Sequence, residues 1–224
     1  MRLAELESVL ELSLRTAIRD GGVQVTDEVL DEAFETFGSG EKKQWDASLL
    51  ERVARHEAGH TFLCWYGGET PSYVTVVARG NHGGYMRHDD NEGKALYTRE
   101  EMLARIRTSL GGRAAELVYY GDEDGVSTGA SGDLAGATSL ARHMLCSCGM
   151  DALFGLAVVD GENARASKEV REAVNALLEA ELQKSVALIR EHREAMDRLV
   201  EQLIEKNHLS GEEVQAILSA GVKR

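Results

Sequence analysis

The chain contains a single proline, Pro71, among its 224 residues, and this scarcity constrains the fold more than any other feature. Proline removes a backbone hydrogen-bond donor and breaks helices, so a chain that nearly lacks it can form many uninterrupted helices. Long stretches rich in Ala, Leu, Glu and Arg, all good helix formers, occur throughout the same sequence. We therefore predict a mainly α fold of the α+β class, with a small β-sheet.

Charge, hydropathy and cysteine content indicate which partners and which cellular compartment to expect for this chain. The formal net charge is −13, which disfavours nucleic acid because an acidic surface repels phosphates. No apolar run approaches the roughly 18 residues that a membrane span requires, so we predict no membrane segment in this chain. Three cysteines are an odd number and do not suggest a disulfide framework. A reducing compartment, and hence a cytoplasmic location, is the expectation.

Helix signals account for most of the chain. Thr26 is a candidate N-cap, and Thr98 with Glu101 and Ser210 with Glu213 form candidate capping boxes. The predicted helices cover residues 3–19, 26–37, 46–66, 98–120, 133–148, 167–207 with a break near 191–196, and 211–220. The helices after residue 167 predict a C-terminal helical bundle.

Two neighbouring stretches carry the β signal, and one short stretch predicts a linker. The β-branched run "SYVTVVARG" at 72–80 and "GGYMRHDD" at 83–90 predict two or three short strands connected through residues 80–84. The stretch "GSGEKK" at 38–43 is typical of a linker. It predicts a helical segment at 1–43 followed by a larger domain at 44–224.

The stretch "RVARHEAGHTFLCW" at 52–65 carries the clearest chemical signal. On a helix, His56 and His60 project from one face and can bind the same ion, while Glu57 stands one position around the helix. Zinc peptidases need this division of roles: two imidazoles hold the metal, and a carboxylate takes the proton of a water molecule. The alternative is a helix that carries two histidines with no metal.

The third metal ligand has to come from elsewhere in the chain. In the extended metzincin pattern, glycine and histidine would stand where this sequence has Leu63 and Tyr66, so that class is excluded. Two later carboxylates remain candidates from the residues alone. Glu116 lies in "GGRAAE", and Asp133 lies in "STGASGDL" at the start of a predicted helix.

Four motifs in this order and spacing give the sequence a resemblance to a known family. They are "RVARHEAGHTF", "SLGGRAAELVYYG", "VSTGASGDLAGAT" and "LARHML". Together with the C-terminal helical stretch, they resemble the FtsH-type ATP-dependent zinc proteases over nearly the whole chain. The resemblance implies a helical, zincin-like metallopeptidase domain with a small β-sheet and a C-terminal helical bundle.

The resemblance also implies roles for individual residues. His56, His60 and Asp133 would bind one Zn²⁺ per subunit, with Glu57 as the catalytic base. With Asp133 as the third ligand, we expect Glu116 to orient an imidazole rather than bind the metal, because ligating imidazoles usually donate their other N–H to a carboxylate or carbonyl. The segment of the family that binds substrate as an added β-strand corresponds to Gly83, Gly84, Tyr85 and Met86. The family's usual asparagine before the ligating aspartate is replaced here by Gly132.

No Gly-x-x-x-x-Gly-Lys-Ser/Thr loop occurs in the sequence, so ATP would act only through a separate AAA+ ATPase domain. The resemblance implies that residues 1–43 correspond to the end of an AAA+ lid, that the chain is part of a longer protein, and that it forms a homo-hexamer. The expected substrates are unfolded proteins or peptides. Two alternatives stay open: an ATP-independent zinc peptidase with Glu116 as third ligand, and a catalytically silent assembly module.

Overall fold

A computed structural model describes residues 2–19, 21–22, 24–79, 83–88, 96–121, 125–151, 154–159, 161 and 167–222. Within these residues the chain is mainly helical. The helices are α1 (Leu3–Arg19), α2 (Asp27–Ser39), α3 (Ala47–Tyr66), α4 (Arg99–Ser109), α5 (Gly111–Tyr120), α6 (Ser131–Ser147), α7 (Lys168–Glu191), α8 (Arg193–Lys206) and α9 (Gly211–Ser219). The strands are β1 (Lys42–Lys43), β2 (Pro71–Thr75), β3 (Ala78–Arg79), β4 (Tyr85–His88) and β5 (His208–Ser210). The predicted fold class is confirmed.

The local helix signals have the predicted effect. The Thr26 side chain accepts a hydrogen bond from the backbone of Val29 at the start of α2. Both predicted capping boxes are present, at the starts of α4 and α9. The predicted break in the long C-terminal helix is also confirmed, since α7 ends at Glu191 and α8 begins at Arg193. None of the helices that the structure describes combines the length and apolar character needed to cross a bilayer.

One predicted helix is in fact two. The pattern at 98–120 predicts a continuous helix, but α4 ends at Ser109 and α5 begins at Gly111, with Leu110 between them. Leu110 leaves the ideal helical backbone, at φ −81° and ψ −2°. Its side chain is 1% exposed, so tertiary packing fixes the break between α4 and α5. Helix propensities, which are local, do not include this packing.

The chain forms two compact units. The first comprises Met1–Asp46 with Val77–Gly84. In it α1 packs on α2, β1 pairs antiparallel with β3, and Arg79 binds Glu32 at 2.8 Å. The predicted strand at 72–80 is therefore divided, because its last part pairs with β1.

The domain boundary predicted at residue 43 and the likeness to an AAA+ lid stay predictions. Residues 80–82 and 89–90 of the predicted β region lie outside the described residues.

The second unit comprises Ala47–Val76 with Tyr85–Arg224. Its antiparallel sheet has the order β4-β2-β5. In one core, α3 packs against α5, α8 and the sheet around Phe62, Leu199 and Leu209. In the other, α4, α6 and α7 surround Ile106 and Met144. Helix α3 contributes to the first core along most of its length, which holds its motif residues in a fixed place.

Candidate metal centre

Helix α3 places the three residues of its motif in the interior. His56, Glu57 and His60 are each 8% exposed. The spacing of four residues puts the two imidazoles on one helical face, and their ring centroids are 4.9 Å apart. Two buried imidazoles this close need polar partners, because a buried polar group without one is costly.

Glycines allow α5 to approach this face closely. A Cβ atom on Gly59 would lie 2.2 Å from the carbonyl oxygen of Gly111, so the two backbones touch where α3 and α5 cross. A Cβ atom on Gly112 would lie 2.2 Å from His56 Nε2. The absence of side chains at these positions therefore gives the His56 ring the space that it occupies.

Each imidazole is held through its Nδ1 atom. His56 Nδ1 lies 3.0 Å from Glu116 Oε1 on α5, and His60 Nδ1 lies 2.7 Å from the carbonyl oxygen of Thr108 on α4. Both partners are acceptors, so Nδ1 carries the proton in each ring. The neutral tautomer then has its lone pair on Nε2, the atom available to a metal.

The third group comes from the beginning of α6. A 3-10 turn at Thr128–Ala130 leads into this helix and places Asp133 in its first turn, where the helix dipole favours a carboxylate. Asp133 Oδ2 lies 3.2 Å from His56 Nε2 and 3.4 Å from His60 Nε2. One possible ligand atom from each of the three residues can be chosen so that all lie within 4.8 Å of one another.

This arrangement fits Zn²⁺. Zinc binds imidazole nitrogen and carboxylate oxygen at about 2.0 to 2.2 Å, so two tetrahedral ligands lie about 3.3 to 3.5 Å apart. The two nitrogen–oxygen separations are 3.2 and 3.4 Å, and both Nε2 atoms face the same carboxylate oxygen. Two nitrogens and one oxygen also match the ligand set of catalytic zinc sites, which keep a fourth position open.

Opposite charges in the site stabilise each other. Burial alone would lower the pKa of His56, but its hydrogen bonds to Asp133 and Glu116 outweigh burial and raise the pKa to about 9. Burial alone would raise the pKa of Glu116, but hydrogen bonds from His56 and Ser127 bring it down to about 2. The two imidazoles likewise hold the pKa of Asp133 well below its usual range, against the effect of burial. Glu116 and Asp133 are therefore ionised at neutral pH.

Glu57 differs from the other carboxylates of the site. Burial is the main cause of its raised pKa, and the charge of Asp133 adds to it while the two imidazoles oppose it. Among the residues that the structure describes, no side chain or backbone group hydrogen-bonds to the Glu57 carboxylate. A carboxylate with a raised pKa and no fixed partner is suited to accept a proton and release it again.

The segment predicted to bind substrate is divided between the two units. Gly83 and Gly84 belong to the first unit, and the carbonyl oxygen of Gly83 accepts a hydrogen bond from Trp45 Nε1 at 3.2 Å. Tyr85 and Met86 begin β4 and lie opposite Thr75 and Val74 of β2. In the described part of the chain, β4 is an edge strand of its sheet.

Sequence reasoning missed several groups that support the imidazoles. Thr108 contributes only a backbone carbonyl, so its side chain gives no signal. Ser127 donates to Glu116 from both its backbone nitrogen and its hydroxyl, and the motif "STGASGD" contains it without indicating this role. The "GG" of the second motif could have indicated a close helix contact, since two adjacent glycines at a helix start are costly without one.

Comparisons with known proteins show what this chain is similar to. The sequence profile of peptidase family M41 matches residues 45–217. The "ATP-dependent zinc metalloprotease FtsH" of Rhodococcus erythropolis is 31% identical over 99% of this chain and 28% of its own length. "ATP-dependent zinc metalloprotease FtsH 2" of Symbiobacterium thermophilum is 33% identical over 97% of this chain and 39% of its own length.

A third relative, the "ATP-dependent zinc metalloprotease FtsH" of Thermotoga maritima, is 32% identical over 96% of this chain and 38% of its own length. This chain thus spans only about a third of the length of these relatives (28%, 39% and 38%). The family match covers well over half of this chain and includes every residue of the metal centre. The chain belongs to peptidase family M41.

Proposed function

We propose that this chain is a zinc-dependent endopeptidase domain that hydrolyses peptide bonds of unfolded proteins. The observation that carries the proposal is the convergence of His56 Nε2 and His60 Nε2 on one oxygen of Asp133, beside the buried Glu57 carboxylate. Membership of peptidase family M41 supports it.

In this proposal His56, His60 and Asp133 hold the ion, and Glu57 moves the proton. When bound, Zn²⁺ would lower the pKa of a water molecule to about 7 and polarise the carbonyl of the scissile bond. Glu57 accepts a proton from water at its carboxylate and passes it to the nitrogen of the departing amine. Its raised pKa favours this exchange because the carboxyl group can hold the proton between the two steps.

The two alternative functions fit the contacts less well. Glu116 faces the Nδ1 side of His56, away from the Nε2 atom that approaches Asp133, which favours Asp133 as the third ligand. A silent assembly module would need the metal only to join helices. Such a module has no use for a proton acceptor, whereas Glu57 lies beside the two imidazoles with a pKa raised by burial, so its presence favours catalysis.

The wider setting of the domain is also proposed. Three relatives are described as ATP-dependent, and we extend this to a separate AAA+ ATPase domain that delivers unfolded chains to the peptidase. We further propose a homo-hexamer, a cytoplasmic location, and substrate binding along residues 83–86. Tyr85 and Met86 in the edge strand β4 would pair with an extended substrate backbone.

The substitution Glu57→Gln tests the proposed function. It keeps the shape of the side chain and removes the base, so we expect about one Zn²⁺ per chain and a loss of casein cleavage of about 10²- to 10⁴-fold. Glu51→Gln is the matched control, because Glu51 lies on the same helix and binds Arg55. Wild-type cleavage by Glu57→Gln, or cleavage by the wild-type chain after complete removal of zinc, would refute the proposal.

A further inference from the structure

Arg52 connects three elements around the metal centre. It lies on α3 four residues before His56, on the same helical face. One of its guanidinium nitrogens donates to the carbonyl oxygen of Gly125 at 2.7 Å and lies 3.6 Å from Glu116 Oε2. The guanidinium also lies over the ring of Tyr120, 3.9 Å from its centroid. These contacts join α3 to α5 and to the loop before α6.

The contact with Glu116 bears on the orientation of His56. Glu116 is 1% exposed and accepts hydrogen bonds from His56 and from two groups of Ser127. In the described part of the chain, Arg52 is the arginine that faces the other oxygen of this carboxylate, Oε2. Removing Arg52 takes away the positive charge that lies 3.6 Å from Glu116 Oε2, so the carboxylate can shift. A shift of Glu116 alters the hydrogen bond that fixes the His56 ring.

The contact with Gly125 bears on the position of Asp133. Gly125 starts the described part of the loop that continues through Ser127 into the 3-10 turn and α6. A Cβ atom at Gly125 would lie 2.7 Å from the Cβ atom of Tyr120, so this end of the loop is packed against α5. Arg52 covers the same tyrosine and binds the loop at the same point, which restricts the path that the chain takes towards Asp133.

We propose that Arg52 is a positioning residue of the metal centre, which fixes His56 through Glu116 and Asp133 through the Gly125 carbonyl. It is not one of the three proposed metal ligands. The inference rests on the proposed function, since it assumes that His56, His60 and Asp133 bind Zn²⁺. Lysine cannot replace the guanidinium fully, because an ammonium group does not lie flat over the Tyr120 ring as the planar guanidinium does.

The test measures metal binding by the full 224-residue chain with Arg52→Gln, Arg52→Lys and the control Arg55→Gln. Arg55 also lies on α3 and stacks on Tyr119 and Tyr120, but it forms an ion pair with Glu51. Competition with a chromophoric chelator gives the Zn²⁺ affinity, and the visible spectrum of the Co²⁺-loaded chain reports the ligand geometry. The melting temperature of the metal-free chain separates metal binding from stability.

We expect Arg52→Gln to weaken Zn²⁺ binding by about 10- to 100-fold, the usual effect of losing a group that orients metal ligands. Its Co²⁺ spectrum should change, Arg52→Lys should be intermediate, and Arg55→Gln should bind like the wild type. With saturating zinc, kcat should fall more than KM rises. If Arg52→Gln does not fold, the Zn²⁺ affinity and the Co²⁺ spectrum of Arg52→Lys test the proposal instead.

Wild-type affinity and an unchanged Co²⁺ spectrum in the folded Arg52 variants would overturn the proposal. An equal loss in Arg55→Gln would also overturn it, since the effect would then belong to any arginine of α3. Failure of the proposed function would give a different experimental result: the wild-type chain itself would bind no zinc, or Glu57→Gln would cleave casein normally.

Discussion

At the scale of single residues, the two nitrogens of each imidazole have separate tasks. The Nδ1 atoms of His56 and His60 are bound to Glu116 and to the carbonyl of Thr108, and the Nε2 atoms face Asp133. A ring held in this way loses little rotational freedom when a metal binds, because folding has already fixed its orientation. In the proposed site, zinc affinity would therefore depend also on residues that do not bind the ion.

Asp133→Ala and Glu116→Gln should separate a ligand from a supporting residue. We expect Asp133→Ala to lose stoichiometric zinc on dialysis against a competing chelator, because one of three protein ligands is gone. Glu116→Gln should keep zinc and bind it about 10- to 100-fold more weakly. Glu172→Ala, which changes an exposed residue of α7, is the control. Metal analysis that finds the reverse order would make Glu116 the third ligand.

Zinc affinity should rise with pH. Since the pKa of His56 is raised to about 9 in the metal-free chain, a proton competes for Nε2 below that pH. Affinity should therefore fall about tenfold for each pH unit below the pKa. Calorimetric titrations with Zn²⁺ near pH 7 and near pH 8, in buffers of different ionisation enthalpy, measure both the affinity and the proton released. Equal affinities with no proton release would contradict this coupling.

The same pKa predicts an opposite trend for the stability of the metal-free chain. A histidine whose pKa is higher in the folded state stabilises the fold fully below its unfolded value of 6.5. That contribution is lost as the pH rises through about 9. Urea unfolding of the metal-free chain should therefore show declining stability across this window, where zinc binding grows stronger. If the stability of metal-free His56→Gln does not change with pH across this window, the decline in the wild-type chain comes from His56.

At the scale of elements, the crossing of α3 and α5 builds the site. Gly59 and Gly111 let the two backbones touch, and Gly112 leaves space for the His56 ring. Such an approach brings Glu116 of α5 within hydrogen-bond distance of His56. The glycines are costly in isolated helices, so their presence is explained by this packing.

Gly59→Ala should destabilise the protein by about 1 to 3 kcal/mol or more, because the new methyl group would overlap the backbone of α5. Gly136→Ala is a matched control on α6, where nothing lies within 4 Å of an added Cβ atom. That change should be neutral or stabilise the helix by up to about 1 kcal/mol. Denaturant unfolding of both variants compares them, and equal effects would show that the crossing is looser than described.

At the scale of the whole molecule, the two units differ in how much apolar surface they bury. In the described part of the first unit, few apolar side chains are buried, among them Val9, Ala17 and Ala33. Leu3 and Ile18 of α1 are 84% and 73% exposed. The second unit contains two extensive apolar clusters. Since burial of apolar area is the main stabilising contribution to folding, the two units should open with different free energies.

Hydrogen exchange should therefore distinguish the units. Amides of α1 and α2 should exchange through openings of lower free energy than those of α3 and α8. Zinc at a hundred times its Kd should add about 2.7 kcal/mol of protection where exchange requires loss of the site, as in α3, and little in α1. Mass spectrometry of exchanged peptides resolves these segments. Uniform exchange across the chain would mean that both units unfold together.

The order of the helices and the pairing of His56 with His60 could be predicted from the sequence, because both depend on local rules. Capping boxes at Thr98 and Ser210 act over three residues, and an imidazole pair at i and i+4 needs only one helical turn. The resemblance to a known family indicated Asp133 as the third ligand, which left Glu116 to orient an imidazole. By local reasoning alone, those two carboxylates could not be told apart.

Only the tertiary structure determined the features that depend on contacts between residues far apart in the sequence. Glu116 and Asp133 stand 60 and 77 residues from His56, and packing puts one at Nδ1 and the other at Nε2. Packing also divided the helix predicted at 98–120 and assigned Val77–Gly84 to the first unit. The physical reason is the separation in sequence over which each interaction acts. Hydrogen bonds within a helix join residues four apart, whereas the candidate metal centre forms where four separate segments pack against each other.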